Sequence, residues 1–112
     1  MFTPFHREGY HGTNLDQARW IAENGFEQRS IRVCFAPMED LKLAQSYGQF
    51  RAEVNGESAF GIIHAEFPGI PEEYGANGEA QIEIPPEFVL GIRVIDLLEF
   101  QINSDGLFVP LK

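Results

Sequence analysis

The chain has 112 residues, of which 44% are hydrophobic and 22% are charged, so it is long enough for one ordinary globular domain and too short for two sizeable cores. Its 17 acidic and 8 basic side chains give a formal net charge of -9, which disfavours non-specific binding to nucleic acid. A single cysteine, Cys34, excludes an intramolecular disulfide. We therefore expect one domain over residues 1–112.

The first residues of the chain do not have the pattern of a secretory signal peptide, because no charged region precedes an apolar stretch. No part of the sequence reaches the ~18 consecutive apolar residues of a membrane span. Together with the lone cysteine, these features predict a cytoplasmic protein with no membrane partner.

The first half of the chain is predicted to contain two helices and a short strand. Apolar side chains at helical spacing predict a helix over residues 13–25, which Gly25 closes. Residues 31–35 alternate in the manner of a half-buried strand. A second helix is predicted to begin near Pro37 and to end at Gly48.

The second half of the chain is predicted to be rich in strands. Apolar and β-branched runs predict strands over residues 59–67, 79–84 and 88–97, and a turn signal at residues 103–106 predicts a hairpin between residues 99–102 and 107–109. Helices followed by strands, without alternation, predict an α+β fold with mostly antiparallel pairing.

The common nucleotide and metal motifs are absent from the sequence. It contains no glycine-rich dinucleotide fingerprint, no phosphate-binding loop, no pair of cysteines and no His-Glu-x-x-His. We therefore expect no metal cofactor, and any nucleotide must be bound by other means.

Three features of the sequence are candidates for chemistry. His11 stands beside Gly12, just before a predicted helix, where a glycine lets a ligand approach the backbone closely. Tyr47 follows the strand that contains Cys34 and Phe35. For each of these residues the alternative is a structural role, either as a satisfied histidine or as core packing.

The third feature is a strand face with several polar side chains. Alternation over residues 79–84 places Glu79, Gln81 and Glu83 on one face, opposite Ala80, Ile82 and Ile84. An ordinary solvated strand face is the alternative interpretation.

In this order, the segments resemble the ADP-ribosyltransferase fold, specifically the His-Tyr-Glu class that includes diphtheria toxin and the poly(ADP-ribose) polymerases. The resemblance is carried by Tyr10-His11-Gly12-Thr13 and its helix, by Cys34-Phe35-Ala36, by Ala44-Gln45-Ser46-Tyr47-Gly48, and by Glu79 at the start of a strand. It implies a compact domain in which two small, mostly antiparallel sheets form a cleft for NAD, which is the substrate.

The resemblance also implies roles for individual residues. It implies that His11 hydrogen-bonds a ribose of NAD, that Gly12 holds the nicotinamide amide through its backbone, and that Tyr47 stacks on the nicotinamide ring. Glu79 is the implied catalytic acid, which binds the nicotinamide-ribose 2′-hydroxyl and stabilises the oxocarbenium-like transition state. The implied NAD-binding set further includes Thr13, Phe35 and Ala36.

The cofactor's phosphates have few candidate partners. The basic residues near these segments are Arg29, Arg32, Lys42 and Arg51, and Arg29, just after the first helix, is our candidate. Surface solubilisation is the alternative role for each of them.

The sequence departs from the family pattern in two places. Cys34 stands where the family has its middle tyrosine, so that stacking wall is smaller or is supplied by Tyr10 or Phe35. Glu83 is the alternative acid, because Gln81-Ile82-Glu83 also looks like the ending of the Arg-Ser-Glu transferases. Those enzymes have an arginine where this chain has His11, which favours Glu79.

We therefore predict an NAD-dependent mono-ADP-ribosyltransferase that modifies a protein or small-molecule acceptor. One alternative is a non-catalytic module of the same fold that binds NAD, ADP-ribose or a protein. Another is an RNA 2′-phosphotransferase-like enzyme, which the small number of basic residues disfavours. The last is a small α+β interaction domain whose motif match is accidental.

Overall fold

The computed structural model of the protein describes residues 8–27, 33–68 and 81–111. Within these ranges the chain forms six strands, two α-helices and one 3₁₀ helix. In chain order they are β1 (Glu8–Asn14), α1 (Leu15–Asn24), β2 (Val33–Pro37), α2 (Leu41–Val54), β3 (Ala59–Glu66), β4 (Ile82–Ile84), the 3₁₀ helix (Pro86–Gly91), β5 (Arg93–Ile102) and β6 (Phe108–Pro110).

The described strands form one antiparallel sheet in the order β4-β2-β1-β3-β5-β6. β3 pairs with β1 along the whole of β1, from Glu8 to Asn14. In contrast, β2 pairs with β1 at only two positions, Gly9 with Pro37 and Tyr10 with Ala36, while residues 33–35 pair with β4. Beyond Tyr10, β1 and β2 have no registered pair, so the sheet is weakly joined at this point.

The prediction of an α+β fold with antiparallel pairing is confirmed, and the prediction of two separate small sheets is wrong. One strand is responsible for the difference. The carboxyl-terminal end of β2 pairs with β1 and its amino-terminal end pairs with β4, so a single short strand connects both parts into one sheet.

Helices α1 and α2 cover opposite faces of the sheet. Successive residues of a strand point to opposite faces, so β3 contributes to both cores. Ile63 and Ala65 pack in the cluster that contains α1, and Phe60 and Ile62 pack in the cluster that contains α2. This double burial explains why β3 is almost continuously apolar rather than alternating.

The predicted end of the first helix is confirmed, and that of the second is wrong. Gly25 has φ +80 and donates its N–H to the carbonyl of Ile21 at 2.7 Å, as expected of a helix-terminating glycine. Helix α2 continues past Gly48 to Val54. Gly48 allows close packing instead, since a Cβ there would lie 2.3 Å from the ring of Phe60.

The strand prediction for residues 88–97 is also partly wrong. The paired prolines that precede it begin a 3₁₀ helix, Pro86–Gly91, and β5 then continues without a break to Ile102. The predicted hairpin is confirmed, because β5 pairs with β6 and Gly106 has φ +79 in the connecting turn. In the described part of the chain, no helix has the length and apolar character needed to cross a membrane.

An exposed ion pair joins α1 to β5. The Nε of Arg19 donates to Glu99 Oε2 at 2.7 Å, and Nη2 donates to Oε1 at 3.3 Å. The hydrogen bond from Arg19 lowers the pKa of the Glu99 carboxyl below its ordinary value. Because folding lowers the pKa of this carboxyl, its ionised form stabilises the protein at pH values above the ordinary pKa of a carboxyl. This stabilisation is lost as the pH falls through the folded-state pKa.

We therefore expect Glu99→Gln to lower the melting temperature slightly at neutral pH and to lower it less at acidic pH, where protonation of the native carboxyl also removes the negative charge. Thermal denaturation at the two pH values measures this difference. Glu57→Gln, at an exposed position without an ion pair among the described residues, is the control. Equal effects of Glu99→Gln at both pH values would contradict the prediction.

Candidate functional site

A cavity of about 530 Å³ opens where β1 and β2 separate. Residues 11–14 of β1 and residues 33–34 of β2 line it. Trp20 of α1 and Tyr47 of α2 line it as well, although the two helices cover opposite faces of the sheet. The gap between the strands therefore lets side chains from both faces share one cavity, whose volume is typical of a small-molecule site.

His11 is held in place by a backbone carbonyl and two aromatic rings. Its Nδ1 lies 2.9 Å from the carbonyl oxygen of Cys34. Because a carbonyl can only accept, Nδ1 carries the proton, and a neutral His11 then has its lone pair on Nε2. The ring centroids of Phe26 and Phe35 lie 5.4 and 5.5 Å from that of His11. The side chain thus bridges the two strands where their backbone pairing has ended.

Gly12 brings α2 against the end of β1. A Cβ at this position would lie 2.0 Å from the carbonyl oxygen of Ala44 and 2.9 Å from the backbone nitrogen of Gly48. Only a glycine allows the helix to approach so closely. Tyr47 lies between Ala44 and Gly48 on α2. The close approach of the helix therefore places Tyr47 at the same cavity as Gly12.

Tyr47 connects α2 to the segment that leads into β4. Its hydroxyl donates a hydrogen bond to Gln81 Oε1 at 3.0 Å, and both residues line the cavity. Thr13, which is 6% exposed, lines the cavity near them, and its hydroxyl donates to Asn14 Oδ1 at 3.3 Å. These contacts fix the polar part of the wall.

Four of the sequence-predicted residues come together, and two others take a different place. His11, Gly12, Thr13 and Tyr47 all line the cavity. Phe35 and Ala36 are fully buried in the two separate cores and do not contribute to its wall. Their effect on the cavity is indirect, as when Phe35 supports the ring of His11.

The predicted acid and the predicted phosphate partner, Glu79 and Arg29, lie outside the described residues. The alternative acid, Glu83, lies on β4 opposite Cys34, and it is not among the described residues that line the cavity. Gln81 takes part in the wall instead. Cys34, at the position of the family tyrosine, does line the cavity.

The sequence interpretation missed the aromatic residues at the outer part of the wall. Trp20 and Phe50 both line the cavity and are exposed. Phe50 follows Tyr47 by three residues, which places the two on one helix face. This spacing predicts that Phe50 lies beside Tyr47 on the helix. The prediction that the helix ends at Gly48 excluded Phe50 from it.

Glu27 and Arg51 are the charged side chains among the described residues that line the cavity. In the same part of the chain, no group of three or more His, Cys, Asp or Glu residues is placed to hold a metal ion.

Comparison with known proteins gives no relative for this chain. No protein-family model matches it, and neither the curated proteins nor the solved structures contain a match. The functional assignment therefore depends on the residues of the cavity, and the family resemblance stays a prediction.

Proposed function

We propose that the chain is an NAD-dependent mono-ADP-ribosyltransferase of the cytoplasm that modifies a protein or small-molecule acceptor. One observation carries the proposal: His11, Gly12, Thr13 and Tyr47, selected by the resemblance from segments separated by α1 and β2, line one ligand-sized cavity. The net charge of -9 favours such acceptors over nucleic acid.

The proposed reaction breaks the bond between ribose C1′ and the cationic nicotinamide. Nicotinamide leaves as a neutral molecule with the electron pair of that bond, and positive charge develops on the sugar. An acceptor nucleophile then bonds to C1′ and loses its proton. A fixed carboxylate stabilises the developing charge more than it stabilises the ground state. We assign this role to Glu79 from its position in the sequence.

The contacts of His11 and Tyr47 suit the proposed substrate. With Nδ1 donating to Cys34, Nε2 of His11 is the nitrogen that accepts a hydrogen bond from a ribose hydroxyl. Tyr47 supplies an aromatic ring, and its hydroxyl is anchored by Gln81. An anchored ring loses little freedom when a planar nicotinamide stacks on it.

A second candidate function is non-catalytic binding of NAD or ADP-ribose. It is favoured by the composition of the wall, because Glu27 is the one carboxylate among the described residues that line the cavity. Gln81, which is hydrogen-bonded to Tyr47, does not carry the negative charge that the transition state requires.

Incubation of the purified chain with NAD distinguishes the two functions. Free nicotinamide reports cleavage, with water as the acceptor, and the fluorescence of Trp20 reports binding, because it is the single tryptophan and lines the cavity. We expect saturable quenching together with time-dependent nicotinamide release. Quenching without release supports the binding module. The absence of both signals at millimolar NAD would overturn both proposals.

Substitutions at Tyr47 test its stacking role. Tyr47→Phe keeps the ring and loses only the hydrogen bond to Gln81, so we expect the Kd for NAD to rise about threefold. Tyr47→Ala removes the ring, and we expect a rise of about tenfold or more. Fluorescence titration measures both values. Equal effects of the two substitutions would show that the hydrogen bond to Gln81, rather than stacking on the ring, accounts for the contribution of Tyr47.

A further inference from the structure

The outer edge of β5 is only partly covered by β6. β5 runs from Arg93 to Ile102, but β6 pairs with its last three residues, and the N–H of Leu111 extends the contact to the carbonyl of Glu99 at 2.8 Å. Among the described residues, no strand pairs with the outer side of residues 93–98. An open strand edge presents backbone groups that can pair with a strand of another molecule.

The open segment has the composition of a strand that associates readily. Residues 93–98 contain four apolar side chains, no proline or glycine, and one charge of each sign. Ile95, near the middle of the segment, is 47% exposed. Short segments that favour strands and have low net charge are typical sites of strand-to-strand association. The net charge of the whole chain is -9, but none of that excess charge lies on this segment, so a local feature must keep it from pairing.

The direction of the backbone groups identifies the donor on this edge. Along a strand, the N–H and C=O groups of successive residues point alternately to the two sides. The N–H of Ile102 donates to Ser58, on the side of β3, and the carbonyl of Glu99 accepts from Leu111, on the side of β6. The pairing of β5 with β3 is regular from Leu97 to the end of the strand. The N–H of Leu97 therefore points to the open side, as the carbonyl of Glu99 does.

A side chain of β5 already occupies this donor. The N–H of Leu97 donates to Asp96 Oδ1 at 2.8 Å, which is an ordinary length for such a bond. Hydrogen bonds to an ionised acceptor are roughly twice as strong as those between neutral groups. Asp96 is exposed, so its carboxylate stays in water while it makes this contact. A partner strand must displace the carboxylate before it can accept from Leu97.

Two other features disrupt the same side of the sheet. Ile95 has no partner on β3, because the register between β3 and β5 shifts at this point, and such bulges twist an edge away from regular pairing. On β6, the carbonyl of Leu107 and the N–H of Leu111 both point to β5, so alternation turns Pro110 to the outer side. Proline has no N–H, and β6 therefore presents one donor fewer than an ordinary edge strand.

We propose that Asp96 blocks the open edge of β5 and so prevents two copies of the chain from pairing through residues 93–98. The carboxylate holds the N–H of Leu97, which is the donor that a partner strand needs. The strand that would pair there is the same segment of a second copy, because a two-fold antiparallel arrangement brings two neutral, apolar segments together. Residues 93–98 are not among the described residues that line the cavity, so this role is independent of the proposed function.

Sedimentation velocity of Asp96→Ala and Asp96→Asn tests the block. Asp96→Ala frees the N–H of Leu97 in both copies, and we expect it to dimerise at least about tenfold more tightly than the unmodified chain. Asparagine keeps an oxygen that can accept from Leu97, so we expect Asp96→Asn to gain no more than about threefold. No gain for Asp96→Ala, or an equal gain for Asp96→Asn, would overturn the proposal.

A second substitution locates the new contact. In the Asp96→Ala background, Ile95→Lys places a positive charge on the edge, where lysine disfavours strand pairing, and we expect the dimer to dissociate. Asp105→Ala is the matched control, since it removes an exposed carboxylate from the turn between β5 and β6 rather than from the open edge. We expect this control to associate no more than the unmodified chain does. A dimer that survives Ile95→Lys, or that forms equally in Asp105→Ala, would overturn the proposal.

Hydrogen exchange of the Leu97 amide tests the contact itself. At a protein concentration low enough to keep every variant monomeric, we expect this amide to exchange faster in Asp96→Ala than in the unmodified chain, because it has lost its acceptor. Asp96→Asn should restore slow exchange, and Asp105→Ala should not change it. Circular dichroism checks that each variant is folded. Equal exchange of the Leu97 amide in Asp96→Ala and the unmodified chain would show that Asp96 does not hold this donor, and would overturn the proposal.

Discussion

Glu79→Gln is expected to lower the rate of nicotinamide release from NAD by about 100-fold or more, with little change in the affinity for NAD. Glutamine keeps the size and one hydrogen-bonding oxygen of the side chain but loses the negative charge. That charge is needed in the transition state, where the ribose becomes cationic, and much less in the ground state. The measurement is the initial rate of nicotinamide release at saturating NAD.

Glu83→Gln is the matched control for this substitution. It makes the same change of charge on β4, at a residue that is not among those lining the cavity. We expect its rate to stay within about threefold of the unmodified chain. A large loss in Glu83→Gln with an active Glu79→Gln would transfer the acid to Glu83. Full activity in both variants would contradict carboxylate catalysis at either position.

Gly12→Ala is expected to lower the free energy of unfolding by about 3 kcal/mol or to prevent folding. The added Cβ would lie 2.0 Å from the carbonyl oxygen of Ala44 and 3.0 Å from its carbonyl carbon. Both atoms belong to the backbone of α2, so relief requires the whole helix to move away from β1. That movement would also disturb the packing of Gly48 on Phe60. Urea denaturation measures the loss.

Gly106→Ala provides the control for a general cost of replacing glycine. Its Cβ would meet no atom within 4 Å, and the cost comes only from its φ of +79. We expect a loss of about 1 kcal/mol for this change. If Gly12→Ala costs no more than Gly106→Ala, then α2 does not pack against β1 as closely as described, and the position of Tyr47 is wrong as well.

The sequence predicts the elements of this fold better than their arrangement. The end of α1 at Gly25 and the hairpin between β5 and β6 are local features, set by residues that adopt positive φ, and both are confirmed. The single sheet is not local, since it depends on β2 pairing with two strands that lie far apart in sequence. Periodicity does not contain that information.

The second helix shows how one wrong boundary affects the view of a site. A glycine near the end of an apolar pattern usually marks a helix end. Gly48 instead removes a side chain where Phe60 and Gly12 pack against the helix, so the chain continues as α2 to Val54. The unpredicted turns contain Phe50 and Arg51, which line the cavity.

The inner part of the candidate site was predictable because it follows a sequence pattern, whereas its outer part was not. His11, Gly12 and Tyr47 were selected by their order along the chain, and the structure places them at one cavity. The sequence placed Gln81 only on a strand face. Its hydrogen bond to Tyr47 requires the start of β4 to lie near α2, and the pairing of β4 with β2 holds it there. Such contacts arise from tertiary packing.

The central claim is that the cavity between β1 and β2 binds NAD, and the most direct test is the affinity for NAD of His11→Ala compared with His64→Ala. His11 lines the cavity, whereas His64 lies on β3, outside the cavity wall, with its Nε2 2.7 Å from Glu8 Oε1. We expect calorimetry to show a loss of about tenfold or more for His11→Ala and no significant change for His64→Ala. Unchanged affinity in His11→Ala, or an equal loss in both variants, would contradict the claim.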